Sequence, residues 1–122
     1  MNGKKILLVD DDENLVNTLQ SILQREGFTV DTAKSGREAI EKAERTRFHL
    51  IILEIILPDI SGDEVTRILR NSYDRLPIVF ITSYSNFQDS IDALDLGVHE
   101  ILLKPISPVE ILRIAQEVLI PP

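Results

Sequence analysis

Four apolar segments of this sequence are each followed by a side chain suited to metal or phosphate chemistry. The segments have the length of β-strands and cover residues 6–9, 50–53, 78–81 and 101–103. The groups that follow them are Asp10-Asp11-Asp12, Glu54, Thr82 and Lys104. Because open α/β sheets bind their ligands at the carboxyl ends of the strands, these groups are expected to converge at one edge of a parallel sheet.

The carboxylates of Asp10, Asp11 and Glu54 form the first candidate site. Carboxylates that crowd together raise one another's pKa unless a cation offsets their charge. Hard oxygen ligands without histidine or cysteine suit Mg²⁺, which takes one or two carboxylates from a protein and keeps several waters. We therefore predict a Mg²⁺ site at Asp10, Asp11 and Glu54. Asp12 is interpreted as the N-cap of the first helix, and the alternative for Asp11 is a plain turn residue.

Thr82 and Lys104 form the second candidate site. A threonine hydroxyl can donate to a phosphoryl oxygen, and a lysine ammonium supplies a point charge for it. Taken singly, Thr82 is a polar strand end and Lys104 a solvated lysine. Their shared position after two apolar strands favours a phosphate cradle, and Pro105 restricts Lys104 to extended geometry.

Strand-like and helix-like segments alternate along the whole chain, which indicates a parallel sheet covered by helices. Five strands and five helices are predicted, with helices near residues 62–70, 87–96 and 108–119 in the second half. Capping boxes of the form Ser-x-x-Glu/Gln predict four helix starts, at Ser35, Ser61, Ser85 and Ser107. Residues 29–33 alternate between polar and apolar, which predicts a strand at the sheet edge.

Length, composition and charge exclude several classes of function. The 122 residues suffice for one domain, and 43% hydrophobic with 27% charged residues is an ordinary globular composition. The net charge of −7 disfavours direct binding of nucleic acid, which needs clustered Lys and Arg. The sequence has no cysteine and no apolar stretch of membrane-span or signal-peptide type, so we predict a cytoplasmic location and no membrane partner.

Four motifs together resemble the receiver domain of two-component response regulators. They are Val9-Asp10-Asp11-Asp12, the segment 53–62 with Glu54 and Leu57-Pro58, Thr82-Ser83, and Lys104-Pro105. The resemblance covers essentially the whole chain in order and spacing. It implies an α/β, flavodoxin-like (βα)5 fold, a doubly wound five-stranded parallel sheet of strand order 2-1-3-4-5. It also implies a single receiver domain over residues 1–122, either alone or as the N-terminal part of a longer response regulator.

The resemblance implies a role for each site residue. In this family an aspartate accepts a phosphoryl group from a phosphohistidine on a sensor histidine kinase or phosphotransfer protein, and the domain then signals to an output domain or effector protein. Asp10 and Asp11 match the acidic pair that holds Mg²⁺, and the backbone carbonyl of Ile56 matches the main-chain metal ligand. Thr82 matches the switch hydroxyl and Lys104 the lysine that neutralises the phosphate. The expected role is signalling, not enzymatic turnover.

Two positions depart from the family pattern. Glu54 stands where the family has the phospho-acceptor Asp, and Ile101 stands where many members have Tyr or Phe. Glutamate is longer by one methylene, about 1.5 Å. We therefore predict a pseudo-receiver in which ordinary phosphoryl acceptance is lost or badly impaired. Three alternatives stay open: Glu54 mimics the active state, it pairs with Lys104 and holds the inactive state, or it is an engineered Asp→Glu change.

The last predicted helix has a wide apolar face, formed by Ile111, Leu112, Ile114, Ala115, Val118 and Leu119. The face covers an arc of about 160°, against the roughly 100° that a helix packed on one side needs. Deep burial accounts for this, and the alternative is a homodimer or output-domain surface within residues 87–119. Neither His49 nor His99 is placed for catalysis.

Two other protein classes share part of the pattern. A Mg²⁺-dependent phosphatase of the haloacid dehalogenase type would use Asp10-x-Asp12, Thr82 and Lys104. That class needs a further acidic pair on a later strand, and here only one helix is predicted after Lys104. The receiver is therefore favoured, and the phosphatase is kept as the alternative function. A flavodoxin binding flavin mononucleotide is rejected, because three aspartates after the first strand would repel the phosphate.

Overall fold

The computed structural model describes residues 3–83 and 95–120, and these form one parallel sheet covered by helices. The strands are β1 (Lys5–Val9), β2 (Thr29–Ala33), β3 (Leu50–Glu54), β4 (Ile78–Thr82) and β5 (Glu100–Leu103). The helices are α1 (Glu13–Arg25), α2 (Gly36–Arg45), α3 (Gly62–Ser72) and α4 (Pro108–Leu119). The strand order is β2-β1-β3-β4-β5, which confirms the predicted flavodoxin-like fold.

The burial of each strand follows from its place in the sheet. The central strands β3 and β4 are buried at every residue, as expected for a parallel sheet covered on both faces. The alternating strand β2 lies at one edge, as its pattern predicted. Each face has its own core cluster: Leu8, Leu19, Ile52, Val79 and Ile114 lie on one face, and Leu7, Val9, Leu53, Phe80 and Leu69 on the other.

The predicted serine caps begin three of the four helices in the described ranges. A backbone N–H three residues on donates to the side chains of Ser35, Ser61 and Ser107. Only Ser107 has the full reciprocal box in the described residues, because Glu38 accepts instead from the N–H of Lys34. The cap predicted at Ser85 and most of the predicted helix 87–96 lie outside the described residues.

Helix α4 is more deeply buried than a helix packed on one side. Ile111, Ile114, Ala115 and Leu119 are buried, and Leu112 and Val118 pack against the same core cluster. Burial therefore accounts for its wide apolar face. The homodimer surface over residues 87–119 stays a prediction, because part of it lies outside the described residues.

The side chain of Arg70, near the end of α3, fixes two chain segments to each other. Its guanidinium donates to the carbonyl oxygens of Leu96 (2.8 Å), Gly97 (3.2 Å), Tyr73 (3.1 Å) and Leu76 (2.6 Å). Arg70 thus joins the loop after α3 to the segment that leads into β5. The contacts to Leu96 and Leu76 are partly buried, and leaving such carbonyl oxygens unpaired costs free energy.

We expect the substitution Arg70→Met to lower the free energy of unfolding by about 2 kcal/mol, because the hydrophobic stem is kept while a charged donor is lost. The control is Arg67→Met on the same helix, whose exposed ion pair with Glu64 spans 3.8 Å. That change should stay within about 0.5 kcal/mol. Urea unfolding followed by circular dichroism measures both, and equal effects of the two substitutions would contradict the assigned role of Arg70.

Within the described residues, the helices are too short or too polar to cross a lipid bilayer.

Candidate functional site

The sheet brings the predicted groups to its carboxyl edge. Asp10 directly follows β1, Lys104 directly follows β5, and Glu54 and Thr82 are the last residues of β3 and β4. The apolar pattern predicted that β3 and β4 end one residue before Glu54 and Thr82, and the structure includes both residues in the strands. Glu54 lies beside Ile81 in the strand register, one residue before Thr82.

The ammonium group of Lys104 lies between two buried carboxylates. Its Nζ is 2.9 Å from Asp10 Oδ2 and 2.8 Å from Glu54 Oε1. Asp10 and Glu54 are 2% and 5% exposed, so the pair carries two negative charges in a region nearly free of water. One ammonium offsets only half of that charge, which leaves the site favourable for a further cation.

Burial and ion pairing act in opposite directions on this cluster. Burial, together with the nearby charge of Glu54, raises the pKa of Asp10 above its ordinary 3.8, although Lys104 and the Asp12 N–H act to lower it. For Lys104, burial alone would lower the pKa, but its bonds to Glu54 and Asp10 outweigh burial and raise the pKa above 10.5. The cation is therefore firmly charged, and Asp10 is a weaker acid than an ordinary aspartate because its pKa is raised.

The second oxygen of Glu54 is held by the backbone. Oε2 accepts from the N–H of Ile55 at 2.6 Å and from the N–H of Ile56 at 3.1 Å. With Lys104 on Oε1, both oxygens of this carboxylate already have donors. The side chain is thereby folded back over the start of the β3–α3 loop.

Thr82 contributes a buried hydroxyl that lacks a partner. The residue is fully buried, and its Oγ1 has no hydrogen bond within the described residues. A buried hydroxyl left unpaired costs roughly 1–3 kcal/mol. An oxygen-rich ligand at this edge would satisfy it.

Of the two other acidic residues after β1, Asp12 lies where the sequence predicted it, and Asp11 does not. Asp12 is the N-cap of α1, accepting from the N–H of Leu15 at 3.2 Å, and its own N–H donates to Asp10 Oδ1 at 3.1 Å. Asp11 is exposed. In the described part of the chain, Asp10, Asp11 and Glu54 do not form a group of ligand atoms within 4.8 Å of one another.

The donor set nevertheless fits Mg²⁺ in its chemistry. Asp10 and Glu54 supply buried carboxylates with incomplete charge compensation, and the neighbouring Asp11 is free to contribute a third. Mg²⁺ needs only one or two protein carboxylates and fills its shell with water. Binding would require Asp11 to turn inward.

The β3–α3 loop is fixed by hydrogen bonds to Asp59 that the sequence patterns did not predict. The carboxylate of Asp59 accepts from the N–H groups of Gly36 (2.8 Å) and Arg37 (2.9 Å) at the start of α2. Burial alone would raise the pKa of Asp59, but these backbone donors and those of its own loop outweigh burial and lower the pKa. The loop that carries Ile56 is thus fixed to the neighbouring helix. Its signal in the sequence was an aspartate after Pro58, which by itself indicates only a turn.

We expect Asp59→Ala to lower the free energy of unfolding at pH 7 by about 1 kcal/mol, the usual cost when alanine replaces a side chain that accepts from N–H groups at a helix start. Because the folded pKa is lowered, the carboxylate contributes stability above its ordinary value of 3.8, and the contribution is lost as the pH falls through the folded value. The difference in the free energy of unfolding between the variant and the parent should therefore become smaller as the pH falls below 3.8. Urea unfolding at pH 7 and pH 3 measures it, and a difference that is constant with pH would contradict this role.

Gly62 sets the distance between α3 and the site. A Cβ at this position would lie 2.7 Å from the carbonyl oxygen of Glu54 and 2.9 Å from the Cα of Ile55. The Gly62 N–H donates to the Ile55 carbonyl at 2.7 Å. The absence of a side chain therefore allows α3 to approach the backbone on which Glu54 is mounted.

Three other residues singled out in the sequence lie away from the site, and Pro105 directly follows the site residue Lys104. His49 is at the opposite edge, where its Nδ1 accepts from the Lys5 N–H. His99 contacts Glu117 near the start of β5. Ile101 is partly buried and packs against one core cluster. A cis peptide bond joins Lys104 to Pro105.

The sequence of this chain is similar to known response regulators. The family model described as the response regulator receiver domain matches residues 6–116. The chain is 42% identical over 109 residues to the alkaline phosphatase synthesis transcriptional regulatory protein PhoP of Bacillus subtilis, which covers 89% of this chain and 45% of that protein. It is 35% identical over 108 residues to the response regulator ArlR of Staphylococcus saprophyticus, with 88% and 49% covered. The chain thus spans about half the length of the curated relatives it matches.

Solved structures agree in fold. The chemotaxis response regulator CheY4 of Vibrio cholerae superimposes with a TM-score of 0.88 at 32% identity, covering 95% of this chain and 98% of that one. The response regulator TrrA of Thermotoga maritima, solved in complex with Mg²⁺-BeF, gives 0.85 at 33% identity, with 95% and 99% covered. Strand order, the polar cluster at the carboxyl edge and these matches lead to one conclusion: the chain belongs to the receiver domain family of two-component response regulators.

Proposed function

We propose that this chain is a phosphorelay receiver in which Glu54 replaces the phospho-acceptor aspartate, so that ordinary phosphoryl acceptance is lost or badly impaired. The domain, taken as residues 1–122, then acts as a cytoplasmic conformational switch or interaction module whose state does not depend on phosphorylation. Its partners are a sensor histidine kinase or phosphotransfer protein and an output domain or effector protein.

The observation that carries the proposal is the full engagement of the Glu54 carboxylate. Oε1 contacts the Lys104 ammonium at 2.8 Å, and Oε2 accepts from two backbone N–H groups. Phosphoryl transfer depends on positioning and electrostatic stabilisation more than on covalent assistance. A nucleophilic oxygen displaced by about 1 Å loses about a hundredfold in rate, and the extra methylene of glutamate exceeds that.

The state of Thr82 favours the inactive alternative over the mimic. In the receiver family this hydroxyl reports the phosphate by bonding to it. Here its Oγ1 is unpartnered within the described residues, while Glu54 is neutralised by Lys104. A carboxylate that imitated the phosphoryl group would be expected to accept from Thr82. We therefore propose that Glu54 and Lys104 together hold the unphosphorylated arrangement.

We also propose that the site can bind Mg²⁺ in addition to the Lys104 ammonium. Asp10, Asp11 and the backbone carbonyl of Ile56 are the groups that would hold it, together with Glu54. A bound Mg²⁺ would supply positive charge against a transferring phosphoryl group. Lys104 supplies the second positive charge at the same carboxylates. The complex of TrrA with Mg²⁺-BeF supports this assignment by similarity.

The test is incubation of the chain with Mg²⁺ and acetyl phosphate, followed by intact-mass measurement. We expect no stoichiometric acyl phosphate, and no spectroscopic change with beryllium fluoride beyond that of Mg²⁺ alone. An acyl phosphate at one per chain would overturn the proposal. Steady turnover of p-nitrophenyl phosphate would instead support the phosphatase alternative.

A further inference from the structure

A second cluster of metal-ligating side chains lies at the start of β5 and the last turn of α4, remote from the carboxyl edge. His99, Glu100 and Glu117 each place one ligand atom within 4.8 Å of the other two. His99 Nε2 is 3.0 Å from Glu117 Oε1. The three side chains are partly exposed, at 35%, 33% and 48% respectively, so a hydrated ion can reach them.

Arg113 holds both carboxylates in position. Its Nη2 donates to Glu100 Oε2 at 2.7 Å, and its Nη1 donates to Glu117 Oε2 at 3.0 Å. The Glu100 Oε1 contact is longer, at 3.3 Å. Glu117 Oε1 therefore faces His99 while Oε2 is fixed by the guanidinium, the arrangement in which outer partners orient metal ligands.

The charges of the cluster favour a divalent cation. Two carboxylates and one guanidinium leave one net negative charge beside the imidazole of His99. Glu117 lies in the last turn of α4, where the carbonyl oxygens form the negative end of the helix and a carboxylate is unfavourable. This helix has no basic residue of its own in that turn. A bound cation would offset both the net negative charge of the cluster and the unfavourable position of the Glu117 carboxylate at the helix end.

We propose that His99, Glu100 and Glu117 form a surface site for a borderline divalent transition metal of the Zn²⁺ class. Zinc binds imidazole nitrogen and carboxylate oxygen at roughly 2.0–2.2 Å, which in a tetrahedral site separates two ligand atoms by about 3.4 Å. The 3.0 Å between His99 Nε2 and Glu117 Oε1 is close to that value, so the ion would fit between the two atoms after a small opening. Three protein ligands leave a fourth position for water or for a group of another molecule.

The chain provides matched controls for this site. It contains two histidines and no cysteine, so His49 is the one other imidazole. Glu41, paired with Arg45 one helical turn away, is an exposed glutamate outside the cluster. The variants for the test are His99→Gln and Glu117→Gln, and the controls are His49→Gln and Glu41→Gln.

The experiment is calorimetric titration of the full chain with ZnCl₂ in excess Mg²⁺, which keeps the acidic edge out of competition. We expect one Zn²⁺ per chain in the parent and in both controls, and an affinity at least about tenfold weaker in both test variants. In NMR spectra, the ring signals of His99 should shift before those of His49. Absence of one-to-one binding overturns the proposal, as does parent-like affinity in His99→Gln or an equal loss in His49→Gln.

Discussion

Shortening Glu54 to aspartate is expected to give this chain the phosphoryl acceptance that we propose the parent chain has lost. The substitution Glu54→Asp removes one methylene, about 1.5 Å, and so withdraws the carboxylate from the Ile55 and Ile56 N–H groups. Lys104, Asp10 and Thr82 stay in place to receive the phosphate. With acetyl phosphate and Mg²⁺ we expect labelling to rise about a hundredfold over the parent chain.

Controls separate this gain from general loosening of the site. Glu54→Gln has the parent's length and no nucleophile, so it should stay unlabelled. Adding Asp10→Asn to Glu54→Asp should abolish the gain, because a buried carboxylate of the proposed Mg²⁺ site is lost. Labelling is followed by intact mass over time. If Glu54→Asp is labelled no faster than the parent, side-chain length is not what blocks the reaction.

Removing the cation from the same cluster is expected to have the largest effect on stability. The substitution Lys104→Met leaves Asp10 and Glu54 buried without their shared ammonium. Breaking a buried ion pair from one side costs about 3–5 kcal/mol, and we expect about 3 kcal/mol because Lys104 keeps 24% of its side chain exposed. Urea unfolding at pH 7 without divalent ions measures the loss.

The loss should respond to pH and to Mg²⁺ in a defined direction. Without Lys104, burial and the charge of Glu54 raise the pKa of Asp10 further in the folded state. A raised folded pKa stabilises the fold at low pH and loses that contribution as the pH rises through it, so the variant should recover stability on acidification towards 3.8. Mg²⁺ should stabilise the variant more than the parent, since it supplies the missing positive charge.

An exposed ion pair provides the control for Lys104→Met. Lys34 contacts Glu13 on the surface, and both side chains are more than 60% exposed. Such pairs contribute little, so Lys34→Met should leave the free energy of unfolding nearly unchanged, with no response to Mg²⁺. If Lys104→Met lowers the free energy of unfolding no more than Lys34→Met does, the contacts of Lys104 with Asp10 and Glu54 do not stabilise the fold.

Features that depend on neighbouring residues were predictable from the sequence. Continuous apolar runs identified β1, β3, β4 and β5, and the alternating residues of β2 identified it as an edge strand, because burial on one face or two determines which positions tolerate polar side chains. The serine caps followed from the unpaired N–H groups at every helix start. Since parallel strands present their carboxyl ends at one edge, the convergence of Asp10, Glu54, Thr82 and Lys104 could also be predicted.

The partner of each polar group was decided only by the tertiary structure. Lys104 lies 94 positions from Asp10 and 50 from Glu54 in the sequence, and nothing local shows that one ammonium contacts both. The same holds for the contact of Asp59 with the N–H groups of α2 and for the contacts of Arg70 with carbonyl oxygens. It also holds for the hydroxyl of Thr82, which has no hydrogen-bond partner among residues 3–83 and 95–120. Side-chain pairing over such separations depends on distances of a few tenths of an ångström between packed elements, and local sequence patterns carry no information at that scale.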